Sequence, residues 1–454
     1  MLSQLIDLYF CRQAKQVVFL YRIFIRAYIF AILIAANWNK KAREWRRGRK
    51  NLFRDLEKKT GSDKIIWMHC ASAGELEQGK PLIEELTKQF PSHKILISFF
   101  SPSGYAAAVK YNKADIITYL PADTKTNARR FVQLIKPELV IFVKYEYWYE
   151  HLSQIALRNI PILLVSAIFR KGQPFFKPYG KFFRQILSLF RQIFVQDEES
   201  LTLLRSLHIQ QGVISGDTRF DRVTEIAARF TPLPIIEHFV AEKQVIVAGS
   251  TWNEDEEHLS EALKNFPGFK IILAPHEINE NHIRSIEKLF PNSLRYSKVE
   301  LLFGKTGSAA ISLWEAIEKE HKETVQQKLA DAKVLIIDNM GMLSRLYNYA
   351  TITCVGGGFN KSGIHNTLEA AVYGKPVFFG PHYQKFREAR GLIACGAAFS
   401  YERTTELTTK LQDLISGEDK LKWSSEAAKN YVEENRGATR KILQYIQENR
   451  LLTN

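Results

Sequence analysis

Between Lys64 and Phe379 short apolar runs alternate with segments of helical period, and few architectures accept that rhythm. Strands are expected at Ile65–His69, Ile95–Phe99, Ile116–Leu120, Leu139–Val143, Ile162–Val165 and Ile193–Val195. Helical patterns such as Leu76–Gln89, Thr126–Ile135 and Lys181–Phe190 lie between them. Runs this apolar suit a parallel sheet covered by helices on both faces. Thr231-Pro-Leu-Pro234 has the chemistry of a linker. Alternation then resumes at Val245–Ala248, Ile271–Ala274, Val334–Ile337, Ile352–Val355 and Val377–Phe379. At 454 residues the chain exceeds one typical domain. The pattern predicts an α/β protein with two doubly wound domains, 51–230 and 235–454, after an appendage at 1–50. The last helices are expected to pack back on the first domain. Two such domains imply a cleft, and in these sheets ligands bind at the carboxyl ends of strands. The charged insert Glu315–Lys328 is expected to be a solvated helix or loop.

Residues 352–381 carry the densest chemistry. The run Ile352–Val355 ends in Gly356, Gly357 and Gly358, a helix is expected from His365–Asn366, and Lys375-Pro376 leads into the next strand. Free N–H groups at a glycine turn and a helix N-terminus attract phosphate, and Glu369 is placed to accept from ribose hydroxyls. Asn360 and Lys361 lie in the same turn. Glycines alone mark any strand–helix turn; His365, Asn366 and Glu369 tilt the motif toward a nucleotide-linked donor. Ser250 and Thr251 follow the first strand of the second domain, and His276 follows the next, as a donor contact or an ordinary surface histidine.

The first domain offers two carboxylates at strand ends. In Trp67-Met-His-Cys-Ala-Ser-Ala-Gly-Glu75, Glu75 opens a helix, where it either complements the helix dipole or accepts a proton from an attacking hydroxyl. Ser72 and Gly74 leave room for a ligand. Glu146 follows Leu139–Val143, flanked by Tyr145 and Trp148, which line a sugar or headgroup pocket or pack internally. Arg219 lies in Ser215-Gly-Asp-Thr-Arg-Phe-Asp221, after another short strand. No H-E-x-x-H, paired-cysteine or D-x-D pattern suggests a metal. Cys11, Cys70, Cys354 and Cys395 are too dispersed for a disulfide framework and fit a reducing compartment.

The formal charge of +15 points to an anionic partner: nucleic acid, a membrane face or a phosphorylated substrate. Seven of the eleven residues 40–50 are basic, directly after the apolar, aromatic segment Val17–Trp38. That segment is expected either to cross a bilayer at a tilt, with Arg22 and Arg26 snorkelling, or to lie in the interface. Charge following the segment, and no A-x-A-like site, argue against a cleaved signal. The basic flank predicts a body on the cytoplasmic side. A buried amino-terminal helix is the alternative.

Taken in order, these stretches resemble the 3-deoxy-D-manno-octulosonic acid (Kdo) transferases from about Trp67 to Gly391. The resemblance implies a GT-B fold, two Rossmann-like domains facing a cleft, and a glycosyltransferase on the cytoplasmic face of a bacterial inner membrane. It implies transfer of Kdo from CMP-Kdo to the lipid A precursor, inverting, without a metal or other cofactor and without nucleic acid. Glu75 is then the general base and Glu146 the family's second acidic position, with Ser72, Gly74, Tyr145 and Trp148 toward the acceptor. Arg219, Ser250, Thr251, His276, Gly356, Gly357, Asn360, Lys361, His365, Asn366 and Glu369 are the implied donor contacts. Departures are visible: Lys144-Tyr stands for the family's Glu-Thr before Glu146, Arg219 for a lysine, and Pro275-His276 lacks the usual intervening arginine. Alternatives are another GT-B nucleotide-sugar transferase or epimerase, and a non-catalytic basic membrane- or RNA-binding protein.

Overall fold

The computed structural model describes residues 2–61, 63–109, 111–303 and 327–453, with side chains in the first helix from Gln16 onward. The insert expected at Glu315–Lys328 lies, but for its last two residues, outside the described residues. So does the Cys11 side chain.

Among the described residues the strands form two all-parallel, seven-stranded sheets, one in each of two compact units. The first unit comprises Met1–Arg222 and Arg436–Asn454, the second Val223–Asn435. The division therefore falls inside the helix Thr218–Ala228 rather than at the Thr-Pro-Leu-Pro segment.

The first sheet holds β1 (Lys64–Cys70), β2 (His93–Phe99), β3 (Ile116–Tyr119), β4 (Pro137–Val143), β5 (Ile162–Ala167), β6 (Gln192–Val195) and β7 (Gly212–Ile214) in the order 3-2-1-4-5-6-7. Alternate side chains of one strand enter opposite cores, as the pleat requires. Ile65 and Trp67 join one cluster, and Ile66, Met68 and Cys70 the other. The second cluster also takes Ile442, Leu443 and Ile446 from the helix Ala438–Glu448. Asp221 fastens that helix, accepting from the N–H groups of Gly437 at 2.6 Å and Thr439 at 2.7 Å.

The second sheet holds β8 (Val245–Thr251), β9 (Lys270–Pro275), β10 (Ser293–Arg295), β11 (Val334–Ile336), β12 (Ile352–Val355), β13 (Val377–Phe379) and β14 (Ala398–Ser400), ordered 10-11-9-8-12-13-14. The expected central strands are all present. Only the three-residue edge strands β10 and β14 escape a pattern reading, since edge strands lack a long apolar run.

The amino-terminal helix α1 (Leu2–Ala35) contains a stretch, Gln16–Ala35, long and apolar enough to cross a bilayer. Phe19, Phe24 and Phe30 are each more than 60% exposed, so none of the described residues covers this face. Its other face is tied down: Arg22 Nε donates to Glu150 Oε1 at 2.6 Å, and the Tyr21 hydroxyl to Asp123. The basic helix α2 (Lys40–Arg49) follows, opened by Asn39, whose side chain accepts from the Ala42 N–H.

Candidate active site

In each sheet the strand order reverses beside the first strand, between β1 and β4 and between β8 and β12. Loops leaving such a pair diverge to opposite faces and open a crevice at their carboxyl ends. The chemistry-bearing residues of each unit cluster there.

In the first unit Glu75 lies in the first turn of α3 (Ala73–Gln89), just after β1, at the positive end of the helix dipole. The Ser72 hydroxyl donates to Glu75 Oε2. Glu146 lies just after β4 and accepts from Trp148 Nε1 and from His69 Nε2 at 3.3 Å. The second contact fixes the tautomer of the buried His69. With Nε2–H facing the carboxylate, Nδ1 accepts from Ser98 Oγ at 2.8 Å, and Ser98 Oγ accepts from Trp67 Nε1 at 2.8 Å. A buried relay thus ends on Glu146. Burial pushes the Cys70 thiol well up, and Glu75 and Glu146 add to it, which places both carboxylates around the end of β1.

Lys144 begins the β4 loop with φ +62°, a left-handed conformation that L residues rarely hold and that often marks a site. The Tyr145 hydroxyl is raised by burial, with Arg170 and Arg219 opposing and Glu75 and Asp217 adding. Asp217 is buried yet held below its ordinary value. Burial raises it, but the Arg219 guanidinium, 2.7 Å away, and Lys144 outweigh that. Arg219, expected among the donor contacts, therefore stands in the first unit beside Tyr145 and Asp217. Trp148 stacks on Phe100 at 4.7 Å. Gly74 is exposed and Ser72 half-buried, at the mouth of the same turn.

In the second unit Ser250, next to last in β8, has φ +55°, as Lys144 has a positive φ in the first. Trp252, His276 and His365 form a continuous stack, with ring centroids 4.8 and 4.5 Å apart. Trp252 Nε1 can only donate, and it reaches His365 Nε2 at 3.3 Å, so the His365 proton sits on Nδ1. Burial, with His276 beside it, lowers His365 to about 4, so this ring is neutral at pH 7. Asp255 is raised to about 6 by burial, although the N–H groups of Gly357 and Trp252 hydrogen-bond to Oδ2 at 2.9 and 3.0 Å.

Several expectations for this unit change. The N–H groups of Gly356 and Gly357 are engaged internally, by Gly249 O and by Asp255, so these two do not offer the phosphate cradle expected of them. Their service is steric. A Cβ at Gly356 would lie 2.3 Å from Ser250 O, and Gly357 sits at φ +89°. The helix expected from His365 is a single turn, Leu368–Ala371, too short for much dipole. Thr251 is buried with its hydroxyl on Glu256, and the Glu369 carboxylate takes Asn366 Nδ2 at 3.0 Å. Ser250, His276, His365 and Asn366 remain grouped at the strand ends, with Asn360 half-buried and Lys361 exposed in the turn.

Sequence reading missed His69, Ser98, Asp255 and Trp252. His69 and Ser98 are polar residues inside apolar strands, and Asp255 stands three residues after Trp252, as a capping residue does. Those were the available signals.

The family model for 3-deoxy-D-manno-octulosonic-acid transferase (kdotransferase) matches residues 40–222, which end where the first unit's main segment ends. A 3-deoxy-D-manno-octulosonic acid transferase of Rickettsia felis is 28% identical over 393 residues, 84% of this chain and 78% of that one. The transferase of the same name from Aquifex aeolicus is 29% identical, covering 79% and 88%, and that of Haemophilus influenzae 25%, covering 84% and 86%. Among solved structures, UDP-GlcNAc 2-epimerase from Neisseria meningitidis aligns with TM-score 0.52 at 17% identity, over 85% of this chain and 100% of that one. MurG of Acinetobacter baumannii gives 0.51 at 14%, over 85% and 99%. Two Rossmann-like units of this kind are those of the GT-B fold.

Proposed function

The chain belongs to the 3-deoxy-D-manno-octulosonic acid transferase family, and from that premise we propose that it transfers Kdo from CMP-Kdo to the lipid A precursor, with inversion and without a metal. The observation that carries the reading is the position of Glu75, a carboxylate in the first helical turn at the β1/β4 switch point.

Glu75 accepts the proton of the acceptor hydroxyl as its oxygen attacks the anomeric carbon and the bond to CMP breaks. The Ser72 hydroxyl, hydrogen-bonded to Oε2, holds the carboxylate in place for that proton transfer. Glu146, held by His69 and Trp148, orients the acceptor sugar, and Tyr145 and Trp148 offer it ring faces. On the donor unit, His365 is kept neutral and presents Nδ1–H, with Ser250, His276 and Asn366 beside it, to the phosphate of departing CMP. Arg219 serves the acceptor side, paired with Asp217. The exposed face of α1 and the basic α2 hold the protein to the cytoplasmic face of the inner membrane, where the acceptor's acyl chains remain.

The test is incubation of purified protein with CMP-Kdo and tetraacylated lipid A precursor, followed by mass spectrometry of the lipid. Added Kdo mass is expected. An unmodified lipid, together with thermal stabilisation by UDP-sugars but not by CMP-Kdo, would overturn the assignment.

A further inference from the structure

Helices α1 and α2 and the segment that follows β3 line an open cavity of about 620 Å³, with Ile29 and Leu33 on one wall and Trp45, Arg46, Arg49 and Lys50 on another. Among the described residues, one of its groups lacks a hydrogen-bond partner and another lacks a counter-ion. Trp45 is buried, and its Nε1–H has no hydrogen-bond partner among the described residues. The Arg49 guanidinium stacks over Trp45 at 4.0 Å and donates to three backbone carbonyls, of Leu120, Phe100 and Trp45, yet no carboxylate among the described residues neutralises it. Burial draws its pKa down to about 9, with Tyr119 and Tyr28 opposing, so it is still a cation at neutral pH. A desolvated cation beside an orphaned donor is costly unless an anion completes it.

We propose that this cavity binds a phosphate group carried by the lipid acceptor, with the acyl portion running along Ile29 and Leu33. The chemistry matches on both sides. A phosphate monoester accepts from the indole N–H and from the guanidinium fork, while Arg46 and Lys50 close the charge. The apolar wall belongs to the helix whose outer face is unpartnered, so a lipid tail passes from bilayer to protein without crossing water. Continuity with the site favours the acceptor over a bulk phospholipid. Arg49 lies 5.2 Å over the Phe100 ring, Phe100 stacks on Trp148, and Trp148 donates to Glu146. The inference rests on the proposed function and gives the acceptor a second anchor, outside the reacting carboxylates.

The test is lipid binding, which needs no donor. Full-length protein is titrated with phosphatidylcholine vesicles carrying the phosphorylated acceptor lipid, the same lipid after phosphatase treatment, or an equal charge of phosphatidylglycerol. The phosphorylated acceptor is expected to bind about tenfold tighter than either control, the worth of one charge-assisted hydrogen bond. The triple variant Trp45→Phe, Arg46→Gln, Lys50→Gln should lose that preference while binding the dephosphorylated lipid as before. It leaves the carbonyl-bound Arg49 in place and so should fold. Equal binding of phosphorylated and phosphatase-treated lipid would overturn the proposal. Equally tight binding to phosphatidylglycerol would overturn it too, by showing a charge effect alone. A retained preference without Kdo transfer would refute only the reaction.

Discussion

Asp255 and His365 should give the second unit two opposite pH responses that hide each other. Asp255 is raised from 3.8 to about 6. Between those values the folded chain holds a proton that the unfolded chain has released, so stability falls as pH rises through that window. The shift of about two units corresponds to roughly 3 kcal/mol. His365 is lowered from 6.5 to about 4. Between those values the unfolded chain takes a proton that the folded chain refuses, so stability rises with pH. Its shift is similar, but the ring is partly open to solvent, and screening reduces its worth to roughly 2 kcal/mol. The native protein should therefore change little from these two groups between pH 4 and 6.5. Single substitutions uncover each slope. Asp255→Asn keeps an oxygen for the Gly357 and Trp252 N–H groups, and should gain about 3 kcal/mol relative to wild type on going from pH 4 to 6.5. His365→Gln should lose about 2 kcal/mol relative to wild type over the same range. Urea denaturation of the full chain at half-unit pH steps, followed by tryptophan fluorescence, measures both differences. A difference for Asp255→Asn that stays within about 0.5 kcal/mol across the range would refute the reasoning.

Other substitutions test other parts. Glu75→Ala should abolish Kdo transfer, a loss of at least about a hundredfold, and leave CMP-Kdo binding by calorimetry unchanged; normal turnover would remove Glu75 from the reaction. Ser98→Ala strands Trp67 Nε1 and His69 Nδ1 in the core, and should cost about 2–4 kcal/mol in urea unfolding. Serine at Phe19, Phe24 and Phe30 should move the protein from the membrane to the supernatant on fractionation, since each exposed ring contributes about 1.5–3 kcal/mol when buried in lipid. Unchanged fractionation would refute the anchoring face. This variant is a cleaner test than truncation, because Tyr21 and Arg22 also hold the fold together.

The central strands, their alternation with helices and the two-unit plan were legible in the residues, because a strand buried on both faces must be apolar along its whole length. The strand-end position of Glu75 and Glu146 was legible for the same reason: a loop residue just past an apolar run lies at the sheet edge. What the glycines do was not. Gly356 reads as a phosphate cradle in one dimension, and only its closeness to Ser250 O shows that it makes room for backbone.

Local pattern is set by residues a few positions apart, so period, apolar run and charge cluster were enough to predict two doubly wound sheets and an apolar amino-terminal segment followed by a basic one. The pairing of distant groups was decided by tertiary structure alone. Asp255 captures the Gly357 N–H, Arg49 finds no carboxylate among the described residues, and His69 reaches Glu146 across 77 positions of chain. A hydrogen bond depends on distance in space, and nothing in the linear order of these residues encodes which of them the sheet brings together.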